Sequence, residues 1–136
     1  MSRSDPFSRI RVVLSHPVHP GNIGAAARAL KTMGLSRLYL VRPKCFPDPE
    51  ARWLSANALD VLERAVVCDS LEEALAGTTL SIAVSARSRV MAHAPLDARS
   101  AAAEAVARAR TDEVAFVFGN EIAGLANDEV MKCNRL

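Results

Sequence analysis

The feature that most constrains the fold is an alternation running the length of the chain, in which short apolar, β-branched runs are separated by stretches of helix length. The runs are Arg9 to Ser15 (RIRVVLS), Arg37 to Val41 (RLYLV), Ala65 to Cys68 (AVVC), Thr79 to Ser85 (TLSIAVS) and Val114 to Phe118 (VAFVF). Each reads as a buried strand. Strands joined through helices form βαβ units, whose crossovers are right-handed and whose sheet is parallel with helices on both faces. The predicted fold class is therefore α/β with a mostly parallel sheet. A length of 136 residues leaves room for one domain, expected to span 1–136.

The connecting segments carry helix punctuation. Asn22 is placed to cap the first helix, Ile23, Ala26, Ala27, Leu30 and Met33 supply its apolar stripe, and Gly34 stops it. Arg28 and Lys31 fall on a neighbouring face. The Pro-rich stretch PKCFPDP breaks the chain before a helical piece around Glu50 to Leu59. Ser70 should cap a helix through Ala76, with Glu72 and Glu73 in its first turn, and Asp97 an Ala-rich helix to about Arg110. Asn127, with Asp128 and Glu129, opens a final helix.

Composition narrows the class. Half the residues are hydrophobic, yet no apolar run approaches the ~18–20 residues needed to cross a bilayer, so no membrane association is expected. The N-terminus MSRSDPFSRI is charged where a signal peptide needs an apolar stretch. Cys45, Cys68 and Cys133 are odd in number, far apart and without a CxxC pair, which argues against disulfides and zinc. A cytoplasmic protein is expected. Net charge is +2, but residues 1–52 hold nine Lys/Arg against three Asp/Glu, while residues 53–136 hold eight against twelve. The basic half is the candidate surface for an anionic partner such as nucleic acid, and a solvated face is the alternative reading.

In open parallel sheets ligands bind beyond the carboxyl ends of the strands. That rule selects the loops after residues 15, 41, 85 and 118, of which SHPVHPGN, SARSR and GNE are polar or glycine-bearing. The first loop is not a dinucleotide fingerprint, because only Gly21 and Gly24 are present where three glycines are needed. No Walker lysine follows a glycine pair. His16 and His19 share their loop with two prolines and have no carboxylate or thiol at ligand spacing, so no metal is expected.

The segment SHPVHPGNIGAAARALKTMGLSRLYLVRP closely resembles the first motif of the SPOUT superfamily of knotted RNA methyltransferases, in which an Asn opens the first helix and an Arg follows six residues on. Here those are Asn22 and Arg28. FVFGNEIAGLAND at 116–128 looks like the second motif, and SIAVSARSR matches the stretch between them, particularly in members that methylate the 2′-hydroxyl of residue 32 in the tRNA anticodon loop. The likeness runs over nearly the whole chain in the right order.

The resemblance implies an α/β-knot fold, S-adenosylmethionine as methyl donor, S-adenosylhomocysteine as product, tRNA as partner and a homodimer. It assigns Val84, Ser85, Ala86 and Gly119 to the cofactor. It makes Arg28 and Asn22 the catalytic pair and Arg28 a contact to RNA; Lys31, and Arg87 and Arg89 after the cofactor-side strand, are candidate contacts to RNA phosphate, with ordinary surface charge the alternative reading for the last two. Asn120 and Glu121 would order the second-motif loop. A guanidinium is effectively always protonated, so Arg28 suits holding the phosphate and ribose and stabilising a developing alkoxide better than acting as a plain base. In the superfamily a third motif completes the cofactor pocket and threads the knot. The chain reads KCNRL at 132–136 before any such motif, so the expectation is a C-terminally incomplete domain lacking the knot-forming segment. A non-catalytic RNA-binding module and an inactive fragment are the alternatives left open by the residues.

Overall fold

The computed structural model describes residues 5–84, 98–120, 124–126, 129 and 132–133. A 3₁₀ turn, Pro6–Arg9, leads into β1 (Ile10–Ser15), α1 (Pro20–Thr32), β2 (Arg37–Val41), α2 (Pro49–Ser55), a second 3₁₀ turn (Ala56–Ala58) and α3 (Leu59–Glu63). Then follow β3 (Val66–Cys68), α4 (Leu71–Leu75), β4 (Thr78–Val84), α5 (Ala98–Ala109) and β5 (Glu113–Phe118). All five strands pair in parallel, in the order β3-β2-β1-β5-β4. The first strand is thus the middle of the sheet, with Val12 opposite Leu38 on one side and Phe116 on the other.

Crossover handedness explains the layers. The steps β1 to β2, β2 to β3 and β4 to β5 run in one direction across the sheet, and only β3 to β4 runs back. Right-handed connections then put α1, α2, α3 and α5 on one face and α4 on the other. The core follows this division. On the first face Val12, Leu38 and Leu40 pack with Ile23, Ala27, Leu30, Ala51, Val61 and Leu62. Beside them Ile10, Leu80, Ile82 and Val114 pack with Ala101, Ala105 and Ala109 of α5. On the second face Val13, Val41, Ala83, Ala115 and Val117 meet Leu71 and Ala74 of α4, together with Leu125. The expected α/β class with helices on both faces is what forms.

Strand positions agree with the sequence to within a residue, while helix details differ. α1 begins at Pro20, not Asn22, with His19 at the N-cap making no side-chain cap hydrogen bond. Proline is preorganised for the first helical position and has no N–H to satisfy. The next donor, the Gly21 N–H, goes to Glu50 Oε2 of α2 at 3.1 Å, so a neighbouring helix supplies the cap expected of Asn22. Ile23, Ala27 and Leu30 are buried as the stripe requires, but Met33 is 58% exposed, because the helix ends there in a left-handed Gly34 at φ 82°. The Leu35 and Gly34 N–H groups close that end on the carbonyls of Leu30 and Lys31, at 2.8 and 3.1 Å. The single helix expected over Glu50 to Leu59 is split at Ala56, whose φ is +50°. Ser70 caps α4 as expected, accepting from the Glu73 N–H at 3.1 Å. Asp97, Asn127 and Asp128 lie outside the described residues.

At the amino ends of the strands, on the α4 face, sits a charged cluster. Arg11, only 5% exposed, donates from Nη1 to the carbonyls of Ala74 and Ala76 at the end of α4, at 2.9 and 3.0 Å, and from Nη2 to Glu113 at 3.1 Å. Its guanidinium lies 4.7 Å from the centroid of the Tyr39 ring. Arg37 also pairs with Glu113 and donates to the Tyr39 hydroxyl at 2.9 Å. Burial raises the Glu113 carboxyl, but the bonds from Arg37 and Arg11 outweigh it and hold the group below its ordinary value.

Candidate active site

At the carboxyl ends, the loops after β1 and β2 are tied together before either turns into its helix. His16 and Arg42 close these strands with left-handed backbone, φ 53° and 45°, while their N–H groups still extend the ladder to Val41 and Cys68 at 2.7 and 3.0 Å. Non-glycine residues adopt such angles only where the surroundings enforce them. The Lys44 N–H then reaches the Pro17 carbonyl at 3.0 Å.

Asn22 lies exposed in the first turn of α1. Arg28 lies eight residues into that helix, about 12 Å from its start at the usual helical rise. It is exposed and lines a shallow groove with Ala25, Ala29, Thr32, Met33 and Leu54. The groove includes neither Val84 nor Gly119. Lys31 pairs with Asp60 of α3 at 3.0 Å, which holds that carboxyl below its ordinary value. α1 and α2 meet through Gly24, where an added Cβ would stand 2.1 Å from the Ala51 carbonyl oxygen. Only glycine permits this backbone contact.

Of the four residues expected at the cofactor, Val84 and Gly119 are described, and they lie at adjacent strand ends. Val84 ends β4 opposite Phe118 of β5, which is opposite Leu14 of β1. Val84 and Phe118 are 40% and 37% exposed, an apolar shelf at the strand ends. Gly119 follows directly. A Cβ there would meet the Gly124 backbone at 2.1 Å, because the second-motif loop folds back on itself through an Asn120–Gly124 bridge, the Gly124 N–H donating to Asn120 O at 3.0 Å. Glycine at 119 is thus demanded by the loop's own closure. Ser85, Ala86, Arg87, Arg89 and Glu121 lie outside the described residues.

A second arrangement, not evident from the sequence, lies at the same end of the sheet. Ser15, 1% exposed, donates its hydroxyl to Glu129 Oε2 and lies 3.0 Å from His16 Nδ1. Glu129 Oε1 accepts from the Ala126 N–H at 2.9 Å. His16, Ala126 and Glu129 border a cleft lined also by Arg42, Ser70, Glu72 and Lys132. A lone Ser at a strand end and a Glu more than a hundred positions later share no local pattern, so only the fold discloses the pair. Among the described residues no three His, Cys, Asp or Glu side chains converge as metal ligands, and no helix is long and apolar enough to cross a membrane.

A five-stranded parallel sheet with loops gathered at its carboxyl ends defines an α/β class, and within it residues 9–136 match the SpoU rRNA Methylase family, to which the protein belongs. Among proteins of known function, the tRNA (cytidine/uridine-2′-O-)-methyltransferase TrmJ of Salmonella typhimurium is 49% identical over 128 residues, covering 94% of this chain and 53% of that protein. The chain spans about half the length of the curated relatives it matches. A probable methyltransferase from Bordetella pertussis superposes with a TM-score of 0.88 at 46% identity, covering 97% of this chain and 81% of that one. TrmJ from Z. mobilis gives 0.83 at 32% identity, covering 92% and 55%.

Proposed function

We propose that this chain is the methyl-transfer domain of an S-adenosylmethionine-dependent enzyme that methylates a ribose 2′-hydroxyl of tRNA, at position 32 of the anticodon loop, acting as a cytoplasmic homodimer. The observation that carries the reading is the convergence of Val84, Phe118 and Gly119 at adjacent strand ends, in a chain 49% identical to TrmJ over 94% of its length. The apolar shelf suits the adenosine face, and the backbone of the loop at Gly119 offers hydrogen-bonding groups to its polar edge. Bound S-adenosylmethionine supplies an electrophilic methyl group on a sulfonium.

The remaining work falls to the protein. Arg28 holds the phosphate and target ribose, and its fixed positive charge stabilises the oxygen as its proton leaves. Its exposure on α1, in a groove with Met33 and Leu54, fits delivery of this arginine to the shelf of a second copy rather than to its own. Ser85 and Ala86 would complete the cofactor contacts, with Lys31, Arg87 and Arg89 gripping the RNA backbone and Asn22 orienting Arg28. Asn120 and Glu121 hold the second-motif loop. Methyl transfer to an unmodified tRNA transcript, with the product mapped by its alkali-resistant linkage, tests the reading. Wild-type protein should mark position 32 and Arg28→Ala should lose at least a hundredfold in kcat. Equal activity in the variant would reject the role of Arg28, and absence of cofactor binding at millimolar concentration would reject the enzyme.

A further inference from the structure

The Glu129 carboxylate has its two oxygens in two different places. Oε1 accepts from the Ala126 N–H, within its own segment, and Oε2 accepts from the hydroxyl of Ser15, the last residue of the central strand. A hydroxyl has one proton, which here goes to the carboxylate. The Ser15 oxygen is then the acceptor for His16 Nδ1, 3.0 Å away. His16 Nδ1 also lies 3.7 Å from Glu129 Oε2. The Glu129 side chain is 14% exposed and Ser15 is sealed from solvent, which shields the bond from competition by water. Cys133 adds a thiol donor to the Glu129 carbonyl at 3.7 Å.

This junction joins the two halves of the site. On one side of Ser15 lie His16 and the loop into α1, which carries Arg28; on the other side of Ala126 lies the closed loop of Gly119 to Gly124 beside Val84 and Phe118. We propose that Glu129 is a positioning residue, whose carboxylate bolts the second-motif loop to the end of β1 and so keeps the cofactor shelf in register with the first-motif loop. The inference rests on the methyltransferase reading for what the loop binds, but not for the bolt itself.

Two measurements separate these. S-adenosylmethionine is titrated calorimetrically into wild type, Ser15→Ala, Glu129→Ala, Glu129→Gln and the double alanine variant, and amide exchange at Gly124 and Ala126 is followed without cofactor. Losing a hydrogen bond to a charged acceptor predicts about tenfold weaker binding in each alanine variant. The double variant should be no weaker than Glu129→Ala, since the Ser15–Glu129 bond is already lost in that single variant. Glu129→Gln keeps an acceptor for Ala126 and turns an amide donor toward the Ser15 oxygen, so the link to β1 survives with reversed polarity and binding should recover to within about threefold, which a loss of general stability would not allow. Wild-type affinity in both Ser15→Ala and Glu129→Ala overturns the proposal. If Ser15→Ala does not fold, the Gln and Ala forms at 129 decide it, equal affinities overturning it. If wild type binds no cofactor, the methyltransferase reading fails and exchange at Gly124, whose N–H is bonded to Asn120 and not to Glu129, decides alone: faster exchange there in Glu129→Ala sustains the bolt, and an unchanged rate overturns it.

Discussion

Gly24→Ala tests the most demanding contact in the fold. Inside a helix, alanine in place of glycine should stabilise by about 1 kcal/mol from propensity alone. Here the new Cβ would lie 2.1 Å from the Ala51 carbonyl oxygen, 2.9 Å from its carbon and 3.0 Å from the Ser55 nitrogen. All three are backbone atoms that no rotamer change can move. Reaching ordinary van der Waals distance requires α1 and α2 to separate by roughly 1 Å, through a core in which Ile23, Ala27 and Ala51 are fully buried. It also stretches the Glu50 bond to the Gly21 N–H. Overpacking of this kind costs about 1–3 kcal/mol, and with rigid backbone on both sides the upper end applies, leaving a net loss of about 2 kcal/mol. In a chain of this size that lowers Tm by roughly 4–8 °C. Urea melts followed by circular dichroism measure it, with Gly34→Ala as reference. At Gly34 the nearest atom is 3.5 Å from the added Cβ, so only the left-handed angle opposes substitution, at about 1 kcal/mol. A Gly24→Ala protein as stable as wild type, or more stable than Gly34→Ala, would refute the reasoning.

Three further outcomes follow from the buried cluster and the thiols. Arg11→Ala removes the donor that holds the end of α4 and should destabilise by about 3 kcal/mol in the same melts, whereas Arg37→Ala, at a more exposed position, should cost less. Because the folded protein holds the Glu113 carboxyl below its ordinary value of about 4.5, its contribution is present above that pH and is lost as pH falls through the lower folded value. Melts from pH 6 downward should therefore lose stability below about pH 4.5 more steeply in wild type than in Glu113→Gln. Burial pushes the Cys133 thiol up to about 11 and raises Cys68 as well, while Cys45 is exposed. A disulfide-exchange reagent at pH 8 should label Cys45 rapidly and the other two only on unfolding.

The strands were legible because short continuous apolar runs such as VVL and LYLV, built of β-branched, aromatic and leucine side chains, fit a strand buried on both faces, and their helical spacers decide that the sheet is parallel. The first-motif loop, Arg28 and the Gly119 turn were legible from motif resemblance. The start of α1 was misread because Asn22 has the local chemistry of a cap, whereas Pro20 sets the boundary and a carboxylate 29 positions away satisfies the Gly21 donor. Met33 fits the helical period but stands one residue past the end of the helix, where the period no longer applies. Arg11 with Glu113, and Ser15 with Glu129, were illegible for one reason. A charge or hydroxyl in the sequence does not name its partner until the strand order is known.

That strand order also fixes a sequence of events in time. β1 is synthesised first, yet one of its two edges is filled only by β5, through contacts such as Arg11 to Glu113, 102 residues apart. Throughout the interval the centre of the sheet has an unpaired side, with Val12 and Val13 lacking half their neighbours. The entropy of closing so long a loop must be met before those contacts contribute, so the growing chain gains its cooperative stability late, when β5 arrives. A nascent chain halted after β3 would present to the cell a bare apolar strand edge, which is the kind of surface that chaperones bind and that aggregates if they do not.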